Sequence, residues 1–277
     1  MNIQQALEQA DQDLSDASPS ATLDAQVLLT HVLQCNTAHL LAWPEKELDK
    51  EQASNFLSLV KQRQSGKPIA HLTGFREFWS LEFFVNNSTL IPRPETETLI
   101  EFVLNKFTEN KSYKLIDMGT GTGAIAVSIA KEKPDWVITA SDISIDALNL
   151  AKKNSEHHHT DNITFTQGNW FENINTDDFD FIISNPPYIA ENDPHLKQGD
   201  VRFEPQSALT SGEAGMDDIN HLCQHAKDHL TSDGWLIIEH GYNQNQLVFD
   251  CFTKNGFTLI EQSQDLSGHT RMTAGKL

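Results

Sequence analysis

Asp117-Met-Gly-Thr-Gly-Thr-Gly123 joins a short apolar strand, predicted at residues 114–117, to a helix predicted at residues 124–131. Glycines permit a tight turn and a close approach of backbone to ligand, and their N–H groups lie at a positive helix terminus. The spacing is Gly-x-Gly-x-Gly, whereas dinucleotide sites carry Gly-x-Gly-x-x-Gly. The loop predicts a ligand site, with a structural glycine turn as the alternative. Its candidate residues are Gly119, Thr120, Gly121, Thr122 and Gly123.

Beyond this loop, segments with helical periodicity alternate with short apolar segments. The predicted helices cover residues 95–107, 124–131 and 218–230, and the predicted strands cover residues 114–117, 136–141, 163–166, 179–184, 234–239 and 257–261. This alternation is typical of an α/β fold in which helices cover both faces of a parallel sheet. Ligands on that architecture bind at the carboxyl ends of the strands, so the residues that follow each strand are the candidate site.

Two of these strand ends carry side chains suited to a nucleoside. Asp142 follows the second strand at about the spacing at which an acidic residue meets a ribose, although it could instead cap the helix that starts near Ser144. Trp170 follows the third strand, where its ring could cover a purine face or simply belong to the core. Both residues are therefore candidates for cofactor binding.

The fourth strand, residues 179–184, ends in Asn185-Pro-Pro-Tyr188. Two consecutive prolines prevent the strand from continuing and stiffen the backbone. The turn presents the Asn185 amide, the Pro186 carbonyl and the Tyr188 ring together, and a plain turn is the alternative interpretation. Hydrogen-bond acceptors beside a flat ring are suited to hold a planar –NH₂ group. The long polar segment that follows, residues 190–215, is predicted to be a binding loop.

The N-terminal part of the chain has a different pattern. Residues 1–66 have helical periodicity and no strand signal, which predicts a small helical bundle. Residues 71–87 are rich in Phe around a predicted turn at Trp79-Ser80-Leu81, which indicates a β-hairpin. The predicted division is a helical domain at 1–66, a hairpin linker at 67–93 and a catalytic domain at 94–277.

Composition argues against a disordered chain, against nucleic acid as the main partner and against a metal site. With 38% hydrophobic and 21% charged residues among 277, the chain is predicted to be folded and not disordered. Acidic residues outnumber basic ones 39 to 20, and a net charge of -19 disfavours nucleic acid as the main partner. The three cysteines form no Cys-x-x-Cys pair, and His157-His-His159 has no acidic partner at ligand spacing, so no metal site is expected.

The N-terminal stretch also bears on location. No Lys or Arg precedes Lys46, and no apolar run approaches the roughly 18 residues that cross a bilayer. We therefore expect a cytoplasmic protein that does not bind membranes, and we expect a monomer.

The glycine loop followed by Asn185-Pro-Pro-Tyr188 resembles the S-adenosylmethionine-dependent methyltransferases that act on an amide or amino nitrogen. Four further segments are similar to the peptide chain release factor glutamine N5-methyltransferases, the HemK/PrmC family, and the resemblance spans nearly the whole chain. They are Pro68-Ile-Ala-His-Leu-Thr-Gly74, Leu90-Ile-Pro-Arg-Pro-Glu-Thr-Glu97, Gly199-Asp-Val-Arg-Phe-Glu-Pro205 and Glu239-His-Gly241.

This resemblance implies a class I methyltransferase domain, Rossmann-like, with a seven-stranded, mostly parallel sheet. Its antiparallel last strand would fall within residues 271–276. The implied cofactor is S-adenosyl-L-methionine, and the implied substrate is the glutamine of the Gly-Gly-Gln loop in class-1 peptide chain release factors. The methyl acceptor would be the side-chain amide nitrogen of that glutamine.

The resemblance also implies roles for individual residues. The glycine loop would bind the cofactor, with Asp142 on its ribose and Trp170 against its adenine. Asn185 would touch both cofactor and substrate, and we assign no adenine contact to Asn169. The remaining substrate-binding candidates are Pro186, Pro187, Tyr188, Arg93 and Glu97. Arg93 and Glu97 could equally hold the hairpin to the core.

Two other functions are open to the same sequence. An adenine-N6 methyltransferase on DNA or RNA needs the same Asn-Pro-Pro-Tyr chemistry, but it also needs a positive groove, which a net charge of -19 disfavours. A non-catalytic adaptor would not need the intact glycine loop and Asn185. We therefore expect a methyltransferase whose substrate is a protein and which makes no direct contact with nucleic acid.

Overall fold

The computed structural model describes residues 1–109, 111–175 and 178–277. The chain forms two compact units. One consists of Met1–Phe75 together with His195–Phe203, and the other of Arg76–Pro194 together with Glu204–Leu277. The segment His195–Phe203 lies within the long connection after the Asn-Pro-Pro-Tyr turn, so part of this predicted binding loop packs with the N-terminal helices.

The N-terminal unit is helical, as the sequence predicted. Asn2 and Asp49 each begin a helix with a capping box, in which the cap side chain and a glutamine three residues later satisfy each other's backbone N–H groups. Large apolar side chains such as Leu28 and Phe56 are fully buried between the helices. The helices are α1 (Ile3–Leu14), α2 (Ala21–Leu33), α3 (Thr37–Ala42), α4 (Lys50–Gln64) and α5 (Ile69–Thr73).

A buried ion pair holds this unit together. Nε of Arg63 on α4 lies 2.7 Å from Oδ2 of Asp24 on α2, and Nη1 of Arg63 lies 2.9 Å from Oδ1 of Asp200. The Ser18 hydroxyl also donates to Asp24. Because Asp200 belongs to the segment His195–Phe203, the Arg63 guanidinium fixes that segment onto the helices.

The predicted β-hairpin is present, with strands β1 (Phe75–Phe78) and β2 (Leu81–Phe84). The two turn residues, Trp79 and Ser80, both have positive φ (53° and 57°), as a type I′ hairpin turn requires. The hairpin is shorter than the predicted 71–87, because residues 71–73 lie in α5, which ends at Gly74 in the left-handed conformation.

The second unit contains one seven-stranded sheet. Its strands are β3 (Lys114–Met118), β4 (Val137–Asp142), β5 (Ile163–Gln167), β6 (Phe179–Ser184), β7 (Leu230–Glu239), β8 (Thr258–Gln264) and β9 (Thr270–Lys276). They lie in the order β5-β4-β3-β6-β7-β9-β8. All adjacent pairs from β5 to β7 are parallel, and β9 is antiparallel to both β7 and β8. The α/β fold class and the antiparallel last strand are confirmed.

Helices flank the sheet on both faces because successive strand residues point to opposite sides. In β3, Leu115 packs in one apolar cluster with the helices that begin at Glu97 and Ala124. Ile116 packs in another cluster with the helices that begin at Asp217 and Asn245. The helices of this unit are α6 (Glu97–Lys106), α7 (Ala124–Glu132), α8 (Ile145–His158), α9 (Asp217–His225) and α10 (Asn245–Lys254).

Among the sheet strands and their flanking helices, three predicted boundaries differ from the observed ones by three residues or more. One is the end of β8, which lies at Gln264 and was predicted at residue 261. The helix predicted at 218–230 ends at His225 and continues as a single 3₁₀ turn, and β7 begins at Leu230, four residues before its predicted start. This early start was not predicted, because Asp233 and Gly234, which lie inside β7, are residue types typical of turns. Within the described residues, none of the helices has the length and apolar character needed to cross a lipid bilayer.

Candidate active site

A cavity of about 280 Å³ opens at the carboxyl ends of β3, β4 and β6, where the strand order reverses direction along the sheet. This is the position at which open α/β sheets bind ligands. The sequence-predicted residues that line it are Gly119, Thr120, Gly121, Thr122, Asp142, Trp170, Asn185, Pro187 and Arg93. Gly123, Pro186, Tyr188 and Glu97 do not line this cavity.

The glycine loop owes its shape to backbone conformations that glycine tolerates. Gly119, Gly121 and Gly123 have φ values of 72°, 56° and 81°, all in the left-handed region. At Gly123 space is also tight, since a Cβ there would lie 3.1 Å from the Cβ of Ala151 on α8. The loop therefore sits close against α8, and its glycines allow a close approach to the backbone at the cavity.

Asp117, at the end of β3, supports the loop from below. Its Oδ2 atom accepts hydrogen bonds from the Thr120 hydroxyl at 2.6 Å and from the Ala126 N–H at 3.2 Å. Burial raises the pKa of the Asp117 carboxyl group to about 7. This carboxyl group is enclosed in protein and acts on the loop, not on a ligand.

Asp142 is hydrogen-bonded on both oxygens. Oδ2 accepts from the Gly121 N–H and Oδ1 from the Ser144 N–H, each at 2.9 Å. The side-chain cap of α8 is Ser144 itself, which accepts from the Ala147 N–H. Burial raises the pKa of Asp142, while the backbone N–H groups oppose that shift. Asp142 lines the cavity, and its contact with a ribose stays a prediction.

Trp170 lies against the opposite side of the loop. A Cβ on Gly119 would be 3.6 Å from the Trp170 ring, so the ring packs over a position that has no side chain. The indole Nε1 donates to Oδ1 of Asp218 at 2.9 Å, and Trp170 itself has a positive φ of 51°. The ring is thus fixed at the cavity wall, where the sequence placed an adenine neighbour. Asn169, to which no contact was assigned, also lines the cavity.

The residues present fit the cofactor expected from the resemblance. Thr89 lines the cavity, is 2% exposed, and its buried hydroxyl has no hydrogen-bond partner among the described residues. A buried hydroxyl without a partner is costly, so a bound polar ligand would satisfy it. Asp142 and Trp170 offer a carboxylate and an aromatic face. The glycine loop offers a backbone that a ligand can approach closely, although the N–H groups of Gly119, Thr120, Gly121 and Gly123 already donate within the protein.

The Asn-Pro-Pro-Tyr turn is anchored by two residues from other elements. Nδ2 of Asn185 lies 3.0 Å from Oγ1 of Thr96, which is 5% exposed and precedes α6. The Tyr188 hydroxyl lies 3.2 Å from Oε1 of Glu239, at the end of β7. Glu239 is 1% exposed, and burial raises the pKa of its carboxyl group to about 7. Burial likewise raises the pKa of Tyr188, so its hydroxyl stays protonated.

Arg93 and Glu97 occupy different places. Nη2 of Arg93 lies 2.7 Å and 2.8 Å from the two carboxylate oxygens of Glu204, whose side chain is fully buried, so the pair fixes the start of the 204–215 segment. Glu97 accepts a hydrogen bond from the Trp79 N–H at 2.8 Å and holds the hairpin turn. Arg93 reaches the cavity, and a substrate contact for either residue stays a prediction.

Sequence reasoning gave no role to Thr89, Thr96, Asp218 or Glu239, although two of these residues lie in segments quoted for the resemblance. For Glu239 a signal was available, because an acidic residue directly after the apolar run 235–238 marks a strand end. Thr96 and Asp218 meet their partners across 89 and 48 residues, which no local pattern reveals.

The histidine run makes packing contacts. The His158 ring lies 5.3 Å from the Phe83 ring, and its Nε2 is 2.8 Å from the Glu82 carbonyl oxygen. Across residues 1–109, 111–175 and 178–277, no group of three or more His, Cys, Asp or Glu side chains is arranged to hold a metal ion.

Two known protein families have models that match parts of this chain. Residues 5–74 match the family model described as PrmC N-terminal domain, and residues 95–202 match the one described as Methyltransferase small domain. A crystal structure of a methyltransferase from Pyrococcus furiosus superposes with a TM-score of 0.54 at 16% identity, covering 80% of this chain and 98% of that one. Fold and site together are those of a class I methyltransferase.

Two curated relatives extend the match over the whole length. A release factor glutamine methyltransferase of Aliivibrio fischeri is 45% identical and covers 100% of this chain and 98% of its own. One from Shewanella oneidensis is 46% identical and covers 99% of this chain and 96% of its own. The chain belongs to the release factor glutamine methyltransferase family.

Proposed function

We propose that this protein transfers a methyl group from S-adenosyl-L-methionine to the side-chain amide nitrogen of a release factor glutamine. The glutamine is the one in the Gly-Gly-Gln loop of class-1 peptide chain release factors. The observation that carries the proposal is the placement of Asn185 in the wall of the cavity that the glycine loop lines. Membership of a family whose named members act on release factor glutamine supports the choice of substrate.

Residues at the ends of β3, β4 and β5 would bind the cofactor. The glycine loop would pack its backbone closely against the cofactor, Asp142 would accept hydrogen bonds from ribose hydroxyls, and Trp170 would cover the adenine. The Thr89 hydroxyl would gain the partner that it lacks among the described residues. When bound, S-adenosyl-L-methionine supplies a methyl group on a positively charged sulfur.

The task of the reactive turn is to orient a poor nucleophile. A carboxamide nitrogen is weakly nucleophilic because its lone pair is delocalised into the carbonyl. If Oδ1 of Asn185 and the Pro186 carbonyl each accept one N–H bond, the substrate nitrogen is held facing the methyl group. Such near-attack geometry can supply as much as roughly 7–11 kcal/mol in favourable cases. Tyr188 and Pro187 would pack against the amide plane.

Acceptors also favour the charge that develops during transfer. When the substrate amide nitrogen gains the methyl group that S-adenosyl-L-methionine would supply, positive charge would develop on that nitrogen, and the Asn185 Oδ1 and Pro186 carbonyl oxygens would stabilise it. A closed cavity that excludes water strengthens this interaction. The methylated nitrogen is acidic enough to lose its proton to water afterwards, so no side chain is needed as a general base.

The helical unit is proposed to recognise the substrate. Residues 1–66 carry nine acidic and four basic residues. A release factor acts against ribosomal RNA, so the surface around its glutamine is expected to be basic, and an acidic unit is its electrostatic counterpart. A cytoplasmic location and a monomeric state remain predictions.

Transfer of a labelled methyl group separates this function from its rival. The purified protein is incubated with methyl-labelled S-adenosyl-L-methionine and, in parallel, with a class-1 release factor, with duplex DNA or with RNA. The proposal requires label in the release factor alone. Label in DNA or RNA and none in the protein would favour the adenine-N6 alternative, which the relatives' names and the net charge of -19 do not support.

A further inference from the structure

The Asn-Pro-Pro-Tyr turn must present the Pro186 carbonyl in one fixed direction if that oxygen is to hold the substrate amide. The proline ring fixes φ at Pro187, which lies between Pro186 and Tyr188. Because this link is stiff, a rotation of the Tyr188 backbone also turns the Pro186 carbonyl. The residues that hold the Tyr188 backbone therefore help to orient the acceptor.

Gln244, the residue directly before α10, holds the Tyr188 carbonyl. Its Nε2 atom lies 3.0 Å from the carbonyl oxygen of Tyr188, 3.3 Å from that of Ala214 and 3.1 Å from that of Gly215. Its Oε1 atom accepts from the Gly241 N–H at 2.8 Å. Three acceptors on one side and one donor on the other allow a single orientation of this amide, because the opposite one would set oxygen against oxygen.

Gly215 lies directly against the same carbonyl group. A Cβ at this position would be 2.2 Å from the Tyr188 carbonyl oxygen and 2.8 Å from the Tyr188 carbonyl carbon. Gly215 also has a φ of 68°, in the left-handed region that favours glycine. The Tyr188 carbonyl therefore occupies space that only a glycine at 215 leaves open. Since the Tyr188 hydroxyl lies 3.2 Å from Glu239, the backbone and the side chain of Tyr188 are both held.

We propose that Gln244 and Gly215 are positioning residues for methyl transfer. They fix the Tyr188 carbonyl and, through the stiff proline link, the direction of the Pro186 carbonyl. Neither residue lines the cavity, so both act through the Asn-Pro-Pro-Tyr turn and not on the cofactor. The inference rests on the proposed function, since it assumes that the substrate amide meets the Pro186 carbonyl.

The kinetic test disturbs the Tyr188 carbonyl in two different ways. Gln244→Met keeps the length of the side chain and removes its donors, and Gly215→Ala adds a Cβ that displaces the carbonyl. We expect kcat on a class-1 release factor to fall roughly tenfold to a hundredfold in each, the scale of a reacting group misplaced by about 1 Å. The affinity for S-adenosyl-L-methionine, measured by calorimetry, should change little, which also shows that the variants are folded.

Gln262→Met is the matched control for the loss of the amide. The Gln262 –NH₂ group bonds the carbonyl of Asn245, the residue next to Gln244, and the Thr273 hydroxyl. Its removal should leave kcat near the wild-type value. Wild-type kcat in Gln244→Met, or an equal loss in Gln262→Met, would overturn the inference.

Gly212→Ala is the matched control for the added Cβ. Gly212 lies in the same segment as Gly215 and has a similar φ of 66°, so alanine is equally strained there. Its Cβ would meet the side-chain carboxylate of Asp217 and not the Asn-Pro-Pro-Tyr turn. Gly215→Ala should therefore lose far more kcat than Gly212→Ala, and equal losses would count against the role of Gly215.

A second readout needs no methyl acceptor. The chain has three tyrosines, so carbon-13 labelling of tyrosine carbonyl groups gives three NMR signals, and Tyr188→Phe identifies the one from Tyr188. Loss of a hydrogen bond to a carbonyl oxygen shifts its signal, so the Tyr188 signal should move in Gln244→Met and stay in place in Gln262→Met. If it moved while the wild-type protein methylated no release factor, the proposed function would fail and the hold of Gln244 on the turn would be supported. An unmoved Tyr188 signal in Gln244→Met would overturn the inference.

Discussion

The carboxylate of Asp142 accepts a hydrogen bond from the Gly121 N–H at 2.9 Å, joining the end of β4 to the middle of the glycine loop. Its other oxygen accepts from the Ser144 N–H at the start of α8. The group that is predicted to bind the ribose therefore also fixes the loop that is predicted to bind the rest of the cofactor. A substitution of Asp142 should therefore affect both the ribose contact and the shape of the glycine loop.

Asp142→Ala should weaken the binding of S-adenosyl-L-methionine by about 1.5–3 kcal/mol, the value of hydrogen bonds to a charged group. Folding should be affected less, because Ser144 still caps α8. Calorimetric titration gives the affinity. The matched control is Asp146→Ala, an exposed residue in the first turn of α8. Equal affinities in the wild type and in Asp142→Ala would exclude the ribose contact.

Asn185→Ala should lower turnover by roughly a hundredfold or more, as expected when one preorganised polar partner of a transition state is removed. Cofactor affinity should fall less, because the glycine loop, Asp142 and Trp170 remain. Single-turnover rates with a release factor measure this, and Asn105→Ala, on the exposed face of α6, is the control. Near wild-type turnover would mean that backbone acceptors alone orient the substrate.

Neutralising the acidic helical unit should raise KM for the release factor. In Glu8→Gln/Asp13→Asn/Asp16→Asn three exposed charges are lost, and we expect a rise of roughly tenfold at low ionic strength. Added salt should reduce the difference from the wild type. These variants are preferable to deletion of residues 1–66, because deletion removes Arg63, the partner of Asp200 within this unit.

The control for that series removes the same charge from the catalytic unit, in Glu156→Gln/Asp161→Asn/Asp250→Asn, where all three residues are exposed. Cofactor affinity should be the same in both triple variants. If both raised KM equally, net charge alone would account for the effect and the helical unit would have no docking role.

The stability of the protein should depend on pH through Glu239. Burial raises the pKa of this carboxyl group from its ordinary 4.5 to about 7, against the opposing effects of the Thr96 and Tyr188 hydroxyls and Arg271, and Glu95 adds to the rise. Between these pH values the folded protein holds a proton that the unfolded chain has lost. The stabilisation that the protonated Glu239 carboxyl group gives the folded state is therefore fully present below about pH 4.5. It is lost as the pH rises through 7.

Glutamine does not titrate. The free energy of unfolding of Glu239→Gln should therefore rise relative to that of the wild type as the pH rises from 4.5 to 7. The relative gain should reach up to about 3 kcal/mol. Urea unfolding at pH 5 and pH 8 measures it, with the exposed Glu51→Gln as control. A difference between variant and wild type that is constant with pH would mean that Glu239 stays ionised throughout.

Much of the fold was predictable because its signals are local. The apolar run 179–184 gave β6 with both of its ends, and the glycine loop marked the junction of β3 and α7. Start positions were harder where polar residues lie inside an element, as in β7. The short helix α5 lies between Pro68 and Gly74 and was likewise not predicted. The Phe-rich composition of residues 71–87 had indicated a hairpin there.

Some residues of the site could be predicted from the sequence and others could not. Asp142, Trp170 and Asn185 lie at a strand end or within three residues of one, so their meeting at one edge of the sheet followed from topology. The supports of these residues did not, because Thr96 and Asp218 reach the site from other elements. Asn154 is a further case: it bonds the Phe84 backbone and the Thr122 carbonyl at once, which only the folded chain shows. Partners of this kind depend on tertiary packing.

Methylation of the Gly-Gly-Gln glutamine is tested by locating the methyl group on the release factor. A class-1 release factor that has not been methylated is incubated with this protein and S-adenosyl-L-methionine, digested, and sequenced by tandem mass spectrometry. We expect one added methylene mass on the side chain of the glutamine in the Gly-Gly-Gln loop, absent when Asn185→Ala replaces the wild type. An unmodified glutamine, or a methyl group on any other residue of the release factor, would contradict it.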